Sequence, residues 1–137
     1  MKNKFIHKVA VIGSGIMGSG IACHFANIGV QVLLLDLPDK DSEHLPSSKR
    51  NFNTINNLKK AIASKPSPLY HKSKAQYIQV GNIEDDLKEV KHVDWIIEVV
   101  VEHVKIKQNL YQNIEKYRNQ DTIVTSNTSG IPIHILT

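Results

Sequence analysis

The chain has 137 residues, 41% of them hydrophobic and 22% charged, enough length to bury a core without metals or disulfides and a balance that excludes disordered and fibrous classes. Its single cysteine, Cys23, excludes an internal disulfide and gives no sign of an oxidising compartment; in an apolar stretch it reads as a small packing residue. A net charge of +4 favours anionic partners only weakly until that charge is located along the chain.

In chain order, Lys8 to Ile12 is predicted to be a short buried strand, because Val9, Val11 and Ile12 run straight into a glycine turn. A helix follows from Ile16 to Ile28, where the apolar positions Ile16, Met17, Ile21, Phe25 and Ile28 recur at helical spacing and Gly29 stands where a helix end needs a left-handed residue. Val30 to Leu35 is almost wholly apolar and ends at Asp36, so it reads as a strand covered on both faces within a parallel sheet. A polar, basic stretch comes next, helical from about Ser48 to Ser64 and broken by Pro66 and Pro68. Further on, the pattern predicts a strand at Tyr77 to Val80, a short helix at Glu84 to Val90, a strand at Trp95 to Val101, a helix at His103 to Tyr117 and a strand at Thr122 to Thr125. The alternation gives an α/β, Rossmann-type doubly wound fold with a mainly parallel sheet and a basic helical insertion after the second strand. The apolar run Val93 to Val101 is interrupted by Asp94 and Glu98 and is too short to cross a bilayer. The lysine-bearing start, Met1 to Lys8, leads into a strand and not into a signal-peptide core, so a cytoplasmic location is expected.

The first turn reads Gly13-Ser14-Gly15-Ile16-Met17-Gly18, the G-x-G-x-x-G pattern. That pattern is weak alone, but here it follows a strand, opens a helix, and is followed by an acidic residue at the end of the next strand. Gly13 makes the tight turn, Gly15 lets a pyrophosphate approach the backbone, and Gly18 allows close packing of helix on strand. Ile16 and Met17 open the helix whose free amides and dipole would receive the phosphates. Asp36 is placed to accept hydrogen bonds from the adenosine ribose and to repel a 2′-phosphate, which favours NAD over NADP. Between His44 and Ile83 there is no acidic residue, while Lys49, Arg50, Lys59, Lys60, Lys65, Lys72 and Lys74 are cationic. Such a patch would attract a polyanion such as coenzyme A; a solvated helix face is the plain alternative. The polar run Ser126-Asn127-Thr128-Ser129-Gly130 falls at the carboxyl edge of the last strand, where hydroxyl and amide groups can hold a substrate oxygen. The seven histidines show no metal-ligand spacing, and no metal is expected.

Taken together, Val9 to Gly20 (VAVIGSGIMGSG), Trp95 to Glu102 (WIIEVVVE) and Ser126 to Ser129 (SNTS) resemble the 3-hydroxyacyl-CoA dehydrogenase family, over nearly the whole chain. Ile28 to Asp36 and Lys65 to Leu69 are similar to segments of the long bacterial members of fatty-acid β-oxidation. The resemblance implies oxidation of an L-3-hydroxyacyl-CoA to the 3-ketoacyl-CoA, with hydride transfer to NAD. It implies that Glu102 and Lys107 contact the nicotinamide half of NAD and that Ser129 hydrogen-bonds the 3-oxygen of the substrate. It places the basic insertion where the family folds a helical hairpin against coenzyme A. The family's catalytic histidine, its glutamate partner and the helical domain that closes the cleft and forms a homodimer would all lie beyond Thr137. Residues 1–137 therefore read as a truncated NAD-binding domain, expected to be inactive alone because the substrate hydroxyl lacks a general base. A non-catalytic NAD-binding or redox-sensing module is the alternative, since fold does not fix function; the SNTS run and the basic insertion favour the enzyme. Nucleic-acid binding lacks a reader motif.

Overall fold

The computed structural model describes residues 5–39, 41–100 and 104–126. Five strands, β1 (Lys8–Ile12), β2 (Gln31–Asp36), β3 (Ile78–Asn82), β4 (Trp95–Glu98) and β5 (Ile123–Ser126), form one sheet in the order β3-β2-β1-β4-β5. Every pairing is parallel. The chain winds outward from β1 to β3, then returns across β1 to β4, and this reversal opens a crevice at the carboxyl ends of β1 and β4.

Alternating side chains explain why both faces are covered. Val9, Val11, Val32 and Leu34 face one side, against Ala22, Cys23 and Ala26 of α1 (Ile16–Asn27) and Leu58 of α3 (Phe52–Ala63). Ala10, Ile12, Leu33, Leu35 and Ile96 face the other, against Leu110, Tyr111 and Ile114 of α5 (Val104–Tyr117). At the amino edge, Asp94 Oδ2 accepts the amides of His7 and Lys8 at 2.9 and 3.1 Å, so the residue expected to form a turn also staples the start of β1.

The large apolar positions that announce α1 in the sequence are not the ones it buries. Ile16 is 97% exposed, Met17 56% and Ile28 68%, while the inward face is Gly18, Ser19, Ala22, Cys23, Ala26 and Asn27. Small residues let the helix lie close on a sheet whose own side chains already fill the interface, and only Ile21 and Phe25 of the large set pack against that core. Burial raises the Cys23 thiol above its ordinary range, in keeping with a packing role.

Boundaries elsewhere move by a few residues. β3 starts one residue late and runs to Asn82, β4 stops at Glu98, and the expected Glu84–Val90 helix is a single turn, α4 (Ile83–Asp86), followed by 3-10 turns over Leu87–His92. The insertion contains α2 (Ser47–Arg50), α3 and a 3-10 segment at Lys72–Tyr77. It is anchored at both ends. Asn82, at the end of β3, donates to Asn51 Oδ1 at 2.8 Å, and Asn27 of α1 both donates to Pro68 O at 2.8 Å and accepts from Tyr70 N at 2.9 Å.

Candidate functional site

The glycine turn divides its three glycines by physical task. Gly13 has φ +114°, a region closed to most side chains, and a Cβ there would lie 2.8 Å from Val99 O. A Cβ on Gly18 would fall 1.8 Å from Gly13 O, so helix and turn can approach only without it. Gly15 is different: a Cβ there meets no protein atom within 4 Å. Its hydrogen points into open space, which is the fit a pyrophosphate needs. Ser19 Oγ donates to Ser14 O at 2.7 Å and fixes the turn on the helix. Ile16 and Met17 stand exposed at the first turn of α1.

Beside the turn, a cleft of about 430 Å³ is lined by Gly13, Ser14, Gly15 and Asp36. The Asp36 carboxylate is held in place: Oδ2 accepts Ser14 N at 2.7 Å and Ser14 Oγ at 2.6 Å, and Oδ1 accepts Leu37 N at 2.8 Å. Oδ2 thus has both its lone pairs engaged, while Oδ1 keeps accepting capacity for a further donor. Asn57, on α3, donates to Ser14 Oγ at 3.0 Å, so the insertion is tied to the glycine turn through a residue the sequence reading did not single out. On the far side of that tie, a second cleft of about 610 Å³ runs between Ile16, Gly20, Lys60 and Pro68. The two clefts share Ser14, Gly15 and Asn57 as a common wall.

A second polar centre lies at the carboxyl ends of β4 and β5. Glu98 is fully buried and accepts from Val100 N at 2.7 Å, Ser126 Oγ at 2.7 Å and Tyr111 OH at 3.1 Å. Lys107 Nζ sits 3.3 Å from its Oε2, and neither side chain has any exposed surface. Burial in the first place, helped by the neighbouring Glu98 charge, pushes Tyr111 up to about 12 despite an opposing hydrogen bond with Ser126. Lys107 is therefore inside the domain against Glu98. Glu98 itself had a findable signal: a charged residue in the middle of a strand-like apolar run has to be paired.

Of the other residues named from sequence, Glu102 and Ser129 lie outside the described residues. The basic stretch needs one correction. Arg50 is 8% exposed and bonds to Asp85 Oδ1 at 2.6 Å and to Glu84, so it is an internal tie between α2 and α4 and adds nothing to an anion-attracting face. Two carboxylates from the next acidic cluster reach back across the sheet edge to meet it. Lys49, Lys59, Lys60, Lys65 and Lys72 are exposed, and Lys74 leans over the Tyr77 ring at 5.6 Å. No helix among the described residues is long and apolar enough to cross a membrane.

Comparison with known proteins adds the following. The family described as 3-hydroxyacyl-CoA dehydrogenase, NAD binding domain, matches residues 8–137. A probable 3-hydroxyacyl-CoA dehydrogenase of Bacillus subtilis (strain 168) is 42% identical over 140 residues, spanning 96% of this chain and 18% of that protein. A putative fatty acid oxidation complex trifunctional enzyme of Rickettsia prowazekii (strain Madrid E) is 46% identical over 133 residues, with 97% and 18% covered. Among solved structures, (S)-3-hydroxybutyryl-CoA dehydrogenase from Ralstonia eutropha superposes with a TM-score of 0.68 at 25% identity, over 96% of this chain and 44% of that one. The chain spans about a fifth of the length of the Bacillus and Rickettsia relatives, at 18% each.

Proposed function

Because this chain belongs to the family of 3-hydroxyacyl-CoA dehydrogenase NAD-binding domains, we propose that it is the cofactor-holding half of an enzyme that oxidises L-3-hydroxyacyl-CoA to 3-ketoacyl-CoA in fatty-acid oxidation. The observation that carries the reading is the open face of Gly15 next to a fixed carboxylate at the end of β2. NAD, when bound, accepts the hydride; the domain's work is to bind and orient it. Gly13 and Gly18 shape the turn, Gly15 with the first amides of α1 at Ile16 and Met17 receives the pyrophosphate, and Asp36 takes the adenosine ribose. Glu102 serves the nicotinamide half and Ser129 the substrate oxygen; Lys107, which has no exposed surface, acts on that half only through Glu98 and the strand end it holds. Proton removal is assigned to a histidine–glutamate pair outside these residues, on a helical domain that also forms a homodimer, in a cytoplasmic protein. The exposed lysines of the insertion attract the acyl-CoA.

Fluorescence titration of the chain with NADH and NADPH tests the reading. NADH should bind more tightly by about tenfold or more, the discrimination a like-charge contact between Asp36 and a 2′-phosphate provides. Equal affinities would remove Asp36 from the ribose, and no binding of either would remove the cofactor role.

A further inference from the structure

The two clefts beside the glycine turn share a wall, and one side chain in it comes from the insertion. Asn57 lines both clefts, together with Ser14 and Gly15. Its Nδ2 donates to Ser14 Oγ at 3.0 Å, and Ser14 Oγ in turn donates to Asp36 Oδ2 at 2.6 Å. A hydrogen-bonded relay therefore runs in one direction, from α3 through the turn to the carboxylate at the end of β2. Its starting end is open. Among the described residues, Asn57 Oδ1 has no hydrogen bond, so the relay can take one more donor there.

The second cleft has the lining for a ligand that supplies that donor. Ile16, Gly20, Ala61, Pro66 and Pro68 make it largely apolar, and Lys60 adds a cation. An acyl-CoA has matching parts: an apolar acyl end, phosphates, and between them a pantetheine arm whose amide N–H groups need acceptors once they leave water. One such N–H on Asn57 Oδ1 would complete a chain of hydrogen bonds from the ester to Asp36, all in the same sense, in which each bond polarises and strengthens the next. A carboxylate held through Oδ2 presents Oδ1 to the ribose without having to be reoriented.

Resting on the NAD and acyl-CoA reading above, we infer that Asn57 is a positioning residue that couples the two clefts, accepting a pantetheine amide on one side and fixing the Ser14–Asp36 contact on the other. Ester and dinucleotide then bind with positive cooperativity. The first to arrive sets the Asn57 amide and the Ser14 hydroxyl, and the second meets a wall already ordered. The coupling is reciprocal, so each ligand raises the affinity of the other by the same factor.

The test uses NADH and 3-hydroxybutyryl-CoA, each the reduced member of its couple, so that no hydride passes between them. Fluorescence titration with NADH, with and without saturating ester, is run on the parent chain and on Asn57→Ala and Ser14→Ala, each checked for a native circular dichroism spectrum. In the parent the ester should tighten NADH binding about fivefold, the effect of roughly one neutral hydrogen bond, and NADH should tighten ester binding equally. In both variants the ratio should fall to about one, whatever either change does to the affinity for one ligand alone. A side chain that merely docked α3 would, on removal, lower the affinities and leave the ratio intact. Should Asn57→Ala not fold, Ser14→Ala, which keeps its backbone bond to Asp36, decides alone. A parent ratio of one or below, a ratio retained in a folded variant, or an ester that does not bind while NADH does would each overturn the inference and leave the cofactor role standing. Failure of NADH to bind the parent would overturn both together.

Discussion

The buried pair of Glu98 and Lys107 makes a quantitative demand on stability. In Glu98→Gln the side chain keeps its shape, but one oxygen becomes an NH₂ group. That group can be accommodated only toward Tyr111 and Ser126, whose hydroxyls rotate to accept, because the other side meets the Val100 amide and the Lys107 ammonium. What is lost is the charge opposite Lys107, 3.3 Å away, with both side chains at 0% exposure. Removing one partner of such a pair costs about 3–5 kcal/mol, and the retained hydrogen bonds put this case near the lower figure. Urea denaturation followed through Trp95, the single tryptophan, should show the midpoint fall by roughly 1.5–2 M at a slope of about 1.5–2 kcal/mol per molar. Lys107→Met combined with Glu98→Gln should cost less than the sum of the two single changes, by about 1.5 kcal/mol or more. A loss below about 1 kcal/mol in Glu98→Gln, or strict additivity in the double variant, would refute the claim that the carboxylate holds the lysine.

Three further outcomes are expected. Gly15→Val should keep a native circular dichroism spectrum and lose NADH binding, whereas Gly18→Ala, whose Cβ would meet Gly13 O at 1.8 Å, should lose stability; the reverse order of effects would show that the turn is not the cradle. Tyr111, raised to about 12, stays protonated in the folded state after its unfolded counterpart ionises near 10. Folded protein then holds the proton more tightly, so stability present below pH 10 should decline between pH 10 and 12, and Tyr111→Phe should flatten that decline in pH-dependent unfolding. Neutralising Lys59 and Lys60 together, as Lys59→Gln/Lys60→Gln, should weaken acyl-CoA binding more than NADH binding, and most at low salt; an unchanged acyl-CoA affinity at low ionic strength would make the lysines an ordinary solvated face.

The sheet and the glycine turn were legible because their signals are local. Valine and isoleucine runs mark the strands, and three glycines at fixed spacing state the turn geometry directly. What sequence spacing could not tell was which side of α1 faces inward, since a helix packed close on a parallel sheet buries alanine, serine and glycine, the residues a hydrophobicity pattern ignores. The partners of Arg50 were hidden for a different reason. Glu84 and Asp85 lie more than thirty positions away, and only the pairing of β2 with β3 brings them to it. Asn57 was unreadable on the same ground, as its role depends on where α3 lands beside Ser14. Glu98 was visible as an anomaly in an apolar strand, but its partners on α5 and β5 come from tertiary structure alone.

The close seat of α1 gives the cleft two walls of unequal stiffness. Sliding this helix along β1 by one residue would drive a side chain into backbone already in contact at Gly18 and Gly13, so the phosphate-facing wall has no neighbouring position to relax into. Among the described residues, the opposite wall is hydrogen-bonded to the turn only from Asn57 to Ser14 Oγ. Entry of a ligand should therefore cost little reorganisation on the first side, which favours tight binding, while any adjustment to its shape falls on the insertion. Fit is decided before binding on one wall and during binding on the other.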